Sequence, residues 1–589
     1  MRFRSSTSPS IVATSARQHP YRPKGTIAPL GTWKKLQLQD LHEHMLVTGA
    51  PGSGKTSCVV LPTVRRIVEL GGAVICFTTK GSDRDDYARA IAKAGGQSVA
   101  VGFDTSNEAP EYVFDIFGYL TAIGASSTNI AEVIVSAMEV VNQQTGGDSN
   151  NNSDNDYFRD LARALIVHCI TCLQWSGRPI TFAHIGQLML GSRVKTGKQL
   201  GNTAKAIFHE AYNAITQAQP PPYRQAQFAA AIQYLTEEWP KMGDRTAASV
   251  LGVWTGLSVD LEVGLAGSLE APAEGQVAVS PATALEQGIS LIIGPPIEAS
   301  PRGGPIMQAL WQACIRISLP SRTPRARTVV IVLDEFQASV SAHYLQMLLA
   351  MARSSRVGVL LATQSFATVT ARFGTDVAKS LFGLPSTVVS CRNDCPTTNA
   401  FAAERIGKHF AQVSSTSSST NTPSLFSTGN INHQSGVSWS EQERFIVGPG
   451  VFRQLKGASS RRPKAESVVQ HRGQHSRITW SRNHTVPKRT GTAKRRFQVT
   501  AAIATAVTGL AFIGTSADGP PPATNAVPAA TRHARRAYRP RTHVVRRGET
   551  LSRIARRYGV SLQAMKRANP LIAPDRIEAG AIVLIPRTR

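Results

Sequence analysis

Eight consecutive residues, Gly49-Ala50-Pro51-Gly52-Ser53-Gly54-Lys55-Thr56, hold the chemistry of a phosphate cradle. The spacing G-x4-G-K-T uses each residue type for a physical reason. Gly49, Gly52 and Gly54 let the backbone N–H groups around Ser53 converge on phosphate oxygens. A helix opening near Thr56 aims the positive end of its dipole at the same charge. Lys55 is expected to contact the β- and γ-phosphates of ATP, and the Thr56 hydroxyl to hold Mg²⁺. The run Val-Val-Ile-Val-Leu at 329–333 ends in Asp334-Glu335, an apolar strand closing on two acids. Asp334 would orient Mg²⁺ or its water, and Glu335 would polarise the attacking water. Gln364 ends a third apolar run at 357–363, where its side chain can reach the γ-phosphate between the other two strands. Arg353 and Arg356 precede that run; in a ring of subunits, one of them would project into a neighbour's site.

These residues need a parallel sheet to bring them together. Apolar runs at 44–48, 73–77, 289–294, 329–333 and 357–363 read as buried strands, with Val388-Val389 beginning the last. Helical stretches from Thr56 and over 87–94 alternate with the first strands, as βαβ units require. Residues 130–141, 158–175, 205–215 and 226–237 carry helical periodicity with few strand signals, so 116–265 is expected to be an all-α insertion. An Asn-rich run at 146–156 reads as a loop within it. The nucleotide domain is then expected in two segments, 41–115 and 266–410.

The flanks differ in composition. Residues 1–40 are basic and rich in Ser and Pro, and read as a flexible arm with no signal peptide. Residues 411–442 are Ser/Thr/Asn-rich and 455–496 basic and polar, so 411–496 reads as linker. Residues 497–514 form an uncharged, mostly apolar run of 18 residues. As a helix it would span about 27 Å against a hydrocarbon core of about 30 Å. Its strong apolar residues supply roughly −3 kcal/mol, so insertion is marginal, and a single transmembrane helix is expected there. Lys488, Arg489, Lys494, Arg495 and Arg496 place its N-terminal side in the cytoplasm. A Pro/Arg-rich linker covers 515–542.

Lys plus Arg number 65 against 38 Asp plus Glu, a net charge of +27 that favours polyanionic partners, nucleic acid or an anionic membrane face. All seven cysteines lie at or before Cys395, a pattern suited to a reducing compartment. Cys169 and Cys172 form a CxxC within an apolar helical run and have no second pair at zinc spacing, so they read as core.

The order of these motifs resembles the type IV coupling proteins, the TraG/TraD-like ATPases. The likeness lies in Glu43-His44 through Lys55-Thr56 to Pro62, in Thr78-Thr79-Lys80-Gly81, and in Leu333-Asp334-Glu335-Phe336 with Gln364-Ser365. It continues through Asn393-Asp394, Thr397-Thr398-Asn399-Ala400 and Ile406-Gly407, and Arg353 falls at the family's Arg position. The resemblance implies an α/β, RecA-like P-loop domain with an inserted all-α domain. It also implies a homo-hexameric inner-membrane ATPase that receives DNA or a relaxase–DNA complex and feeds it to type IV secretion channel subunits. Thr78 and Ser82 depart from the family's acidic positions, and the family's usual N-terminal membrane helices have no counterpart here.

Residues 543–587 resemble a LysM domain, a small βααβ module. The match runs from His543-Val544-Val545-Arg546-Arg547-Gly548-Glu549-Thr550-Leu551 through Tyr558-Gly559-Val560 and Ala568-Asn569-Pro570 to Ile585-Pro586. It implies peptidoglycan binding in a groove near Gly548, Glu549, Thr550, Leu551 and Asn569. A wall-binding module joined to an ATPase implies a single-pass bacterial inner-membrane protein, with the ATPase cytoplasmic and the LysM on the cell-wall side. Two other readings remain open: a DNA-translocating ATPase outside any secretion system, and a non-hydrolysing wall-anchored scaffold.

Overall fold

A computed structural model describes residues 19–30, 35–101, 111–144, 152–193, 200–259, 261, 269, 271–294, 302–322, 327–338, 340, 342–421, 432–459, 461–489, 541–545, 550–568 and 582–585. The chain divides into two compact units, Met1–Ile503 and Ala504–Arg589.

A ten-stranded mixed sheet carries the first unit. Its strands, in chain order, are β3 (Met45–Thr48), β4 (Ala73–Phe77), β5 (Ser98–Val101), β8 (Ser290–Ile293), β9 (Val329–Asp334), β10 (Val357–Thr363), β11 (Thr387–Cys391), β14 (Lys464–His471), β15 (Gln474–Ser481) and β16 (His484–Arg489). Across the sheet the order is β16-β15-β14-β11-β3-β10-β9-β4-β8-β5. The seven from β11 to β5 run parallel, and their continuous burial explains why each reads as an unbroken apolar run. Successive residues point to opposite faces. Leu46, Ile75, Ile331 and Leu361 join the core shared with the helical insertion, while Met45, Val47, Val332 and Leu360 join the core beneath the helix Leu61–Glu69. Two short strands, β6 (Tyr112–Val113) and β7 (Val277–Ala278), pair with each other, and between residues 116 and 259 every described element is a helix, from Ile116–Ala122 to Asp244–Val259.

The structure corrects two expectations. The segment read as a linker over 411–496 is largely strand. A long antiparallel ribbon pairs β12 (Lys408–Asn421) with β13 (Asn432–Phe445), and β14 to β16 then extend the main sheet antiparallel to β11. The nucleotide domain therefore runs past 410, and β11 is not its last strand. The basic arm is also partly built in. β1 (Thr26–Pro29) pairs with β2 (Lys35–Gln37), and Ile27, Ala28, Leu30 and Leu36 are buried in the core beneath the sheet. The expected membrane helix at 497–514 lies outside the described residues, and no helix among the described residues is long and apolar enough to cross a membrane.

In the second unit, β17 (Arg541–Val544) pairs antiparallel with β18 (Ile582–Ile585), and helices Leu551–Arg557 and Leu562–Ala568 lie between them in the chain. Val545, Leu551, Ile554, Ala555, Val560, Met565, Val583 and Ile585 form its core.

Candidate nucleotide site

Register brings the predicted residues to one sheet edge. β10 lies between β3 and β9, with Thr363 opposite Thr48 and Ala362 opposite Asp334. The phosphate loop, the acidic strand end and Gln364 therefore leave the sheet side by side.

The loop itself needs its glycines. Gly52 and Gly54 hold φ of 71° and 89°, in the left-handed region that a side chain disfavours. A Cβ on Gly54 would also lie 2.8 Å from the Cβ atoms of Ala458 and Ala465. Lys55–Val60 then forms a wide π-type turn that leads into the helix Leu61–Glu69. Such turns recur at functional sites.

Lys55 is buried, and its ammonium is bonded to Glu335 Oε1 and lies 3.5 Å from Asp334 Oδ1. The Thr56 hydroxyl donates to Asp334 Oδ2 at 2.8 Å. Thr56 and Asp334 thus present two hard oxygens at hydrogen-bond distance, a donor pair suited to Mg²⁺. The Ser53 hydroxyl is buried with no hydrogen-bond partner among the described residues, an orphan that a phosphate oxygen would satisfy. Together the cradle holds one cation and two anions, so a bound Mg²⁺ leaves it net positive toward a triphosphate.

Glu335 has a φ of 49°, unusual for a residue with a Cβ. Its Oε2 accepts from Gln337 Nε2 at 2.8 Å. Gln364 is half-buried, and its carbonyl accepts from Asn393 Nδ2 at 2.8 Å. Arg353 lies at the opposite end of β10 from Gln364, away from this chain's own phosphate loop.

Four participants were missed in the sequence. Gln337 lies two residues from Glu335, and that spacing was a usable signal. Arg392 directly follows β11, its carbonyl accepting the Ala50 N–H at 3.0 Å, and its Nε is buried without a partner among the described residues. Only the pairing of β11 with β3 puts it there. Residues 456–459 and 461–466 strap the loop: Ala458 N–H donates to Ser53 O at 3.4 Å. Tyr87 is fully buried; burial and then the nearby Asp334 charge hold its phenol well above the ordinary range. Burial likewise pushes the Cys391 thiol beside Gly49 up to about 12, against the pull of Lys55, so it is not a reactive group. Thr78 is buried, its N–H donating to Ile293 O and its carbonyl accepting from Gln308. That makes it a brace between strands β4 and β8. Cys169 and Cys172 are buried free thiols, and no metal-holding cluster occurs among the described residues.

Of the expected glycan contacts, Gly548, Glu549 and Asn569 lie outside the described residues. Thr550 caps the helix Leu551–Arg557, its hydroxyl accepting from Arg553 N–H at 3.4 Å. The Leu551 side chain is buried in the module's core.

Residues 328–457 match the family described as the TraM recognition site of TraD and TraG, and residues 543–586 match the LysM domain family. No curated protein matches the chain. Among solved structures, it is similar to the plasmid coupling protein TrwB in complex with the non-hydrolysable GTP analogue GDPNP. The identity is 12%, over 81% of this chain and 93% of that one, with a TM-score of 0.49. The bacterial conjugative coupling protein TrwBdeltaN70, unbound, is 13% identical over 81% and 91% of the two chains, with a TM-score of 0.48. VirB4 of Thermoanaerobacter pseudethanolicus is 13% identical over 59% and 76%, with a TM-score of 0.33.

Proposed function

We propose that this chain, which joins a TraG/TraD-type coupling-protein region to a C-terminal LysM domain, is an ATP-hydrolysing coupling protein that moves DNA or a relaxase–DNA complex into a type IV secretion channel. One observation carries the enzymatic part: Lys55, Thr56, Asp334 and Glu335, from the ends of the two strands that flank β10, meet at hydrogen-bond and ion-pair distances.

The mechanism follows from what these side chains can do. Lys55 exchanges its carboxylate partners for the β- and γ-phosphate oxygens as ATP enters. That exchange frees Glu335, still oriented by Gln337, to accept a proton from the attacking water. The water oxygen bonds to the γ-phosphorus, the β–γ bridging P–O bond breaks, and ADP leaves with the bridging oxygen's electrons. Thr56 and Asp334 would hold Mg²⁺, which would supply positive charge to offset the negative charge of the reacting phosphates. Gln364 stands beside the same phosphate, and Arg353 serves a neighbouring subunit of a homo-hexamer. Membrane passage at 497–514 and peptidoglycan anchoring by the LysM domain complete the reading, with the ATPase in the cytoplasm.

The test is ATP turnover by the full chain, with and without DNA. Lys55→Ala and Glu335→Gln should each lower kcat by at least about 10²-fold. Glu335→Gln should retain binding of an ATP analogue. Turnover that survives both substitutions overturns the assignment of hydrolysis to this site, and a wild-type chain without turnover leaves the scaffold reading instead.

A further inference from the structure

At the sheet edge away from the phosphate loop, Glu43 gathers two arginines from distant parts of the chain. It lies two residues before β3. Arg472, in the turn between β14 and β15, donates to both of its carboxylate oxygens, at 2.9 and 2.6 Å. Arg353, in the turn before β10, reaches the same carboxylate at 2.9 Å. Ser386 N–H binds the Glu43 carbonyl at 2.8 Å and fixes its backbone. The group borders a solvent-open cleft of about 430 Å³ that Tyr21, His42 and Arg356 also line.

The two candidate arginines differ in what they offer. The Arg356 carbonyl accepts from Val329 N–H and from Arg322, and Arg356 itself is half-buried near His42. The Arg353 side chain is 69% exposed while its tether, Glu43, is 15% exposed. Arg353 is therefore aimed outward from a fixed post. Its link to Glu43 runs through Nη2 alone, so the other guanidinium N–H groups can bind a phosphate while the tether holds. Glu43 keeps its two bonds from Arg472 when that happens. Arg353 cannot serve its own nucleotide: β10 rises about 3.3 Å per residue, which puts the two ends of the strand about 20 Å apart.

We propose that Glu43, itself fixed by Arg472, is the positioning residue for Arg353, and that Arg353 so held completes the nucleotide site of a neighbouring copy of this chain. The inference rests on the ATPase reading above and adds what aims the arginine. Misaiming a transition-state cation by about 1 Å costs on the order of 10²-fold in rate.

The experiment uses full-length chains with two different tags, co-expressed and purified through both. Arg353→Ala subunits keep an intact phosphate loop but lack the arginine. Lys55→Ala subunits lack turnover but carry Arg353. Mixed assemblies should recover ATP turnover that neither variant shows alone. Adding Glu43→Gln to the Lys55→Ala donor should cut that recovery by about 10- to 10²-fold, with KM for ATP at the acceptor sites unchanged. Arg472→Gln in the donor should act in the same direction. A structural role for Glu43 would not change kcat in a different subunit at equal assembly yield. Equal recovery from both donors overturns the clamp and leaves completion in trans standing. No recovery, or failure of the two tagged chains to co-purify, overturns the proposal, while the ATPase reading is judged separately by wild-type against Lys55→Ala turnover. Should both clamp variants fail to assemble, the contact is a folding contact and the proposal falls.

Discussion

Lys55 stands between two carboxylates and neutralises only one of them, so the cradle awaits further positive charge before it can hold a triphosphate. Glu335 occupies a backbone conformation that costs on the order of 1–3 kcal/mol for a residue with a side chain. That strain fits a residue aimed by its surroundings rather than by local preference. His42 shows the same dependence on surroundings at the other sheet edge. Burial, with Arg356 and Arg322 nearby, lowers its pKa to about 4, against the opposing pull of Asp40; His44 adds a small further lowering. Its Nε2 bonds to the Thr328 hydroxyl at 2.8 Å. Below about pH 6.5 the unfolded chain takes up a proton that the folded chain refuses. Stability attributable to His42 should therefore fall as pH drops from about 6.5, until the folded histidine titrates near 4. His42→Gln keeps a hydrogen-bonding side chain and should flatten the dependence of Tm on pH in that window. An unchanged slope would remove His42 as its source. Glu43 acts in a lower window, because its hydrogen bonds from Arg472 hold its carboxyl below the usual range despite partial burial.

Elements divide by how local their signals are. The phosphate loop, the Asp334-Glu335 strand end and Gln364 were legible because each motif is contiguous and each strand is buried on both faces. β14 and β15 were not. Their burial largely alternates: Ala465, Ser467, Val469 and His471 are buried, while the more open positions between and beyond them hold Lys464, Glu466, Gln470 and Arg477. Composition over 455–496 therefore looked like a tail, although the two-residue period was present. The same averaging hid β1, where Ile27 and Ala28 sit among Pro, Arg and Lys. Arg392 and the strap over the phosphate loop could be found only from pairings across the chain. Trp480 tests the revised boundary. It is 1% exposed, packs under the sheet, and donates its indole N–H to Ser467 Oγ at 2.7 Å. Trp480→Ala should destabilise the first unit by about 3–5 kcal/mol in urea unfolding. A loss under about 1 kcal/mol would return 464–489 to the status of a linker.

At the scale of the whole molecule, two compact units imply two separable activities. The second unit has its own closed core, with Leu551, Ile554, Met565 and Val583 buried together, and its two strands pair with each other. The closed core predicts that the units unfold and bind independently. A protein with residues 543–586 deleted should keep the ATP turnover of the full chain within about 2-fold, since no residue of the nucleotide site is lost. The same deletion should abolish co-sedimentation with purified peptidoglycan. Charge is the competing explanation for such co-sedimentation, because the chain carries a net +27 and anionic wall polymer attracts any polycation. The two causes separate in salt. Ionic attraction of exposed charges fades as the Debye length shrinks from about 10 Å at 0.1 M to about 3 Å at 1 M, whereas recognition of an uncharged sugar persists. Full-length protein should stay with peptidoglycan at 1 M salt, and release there would assign the wall contact to the basic segments around it.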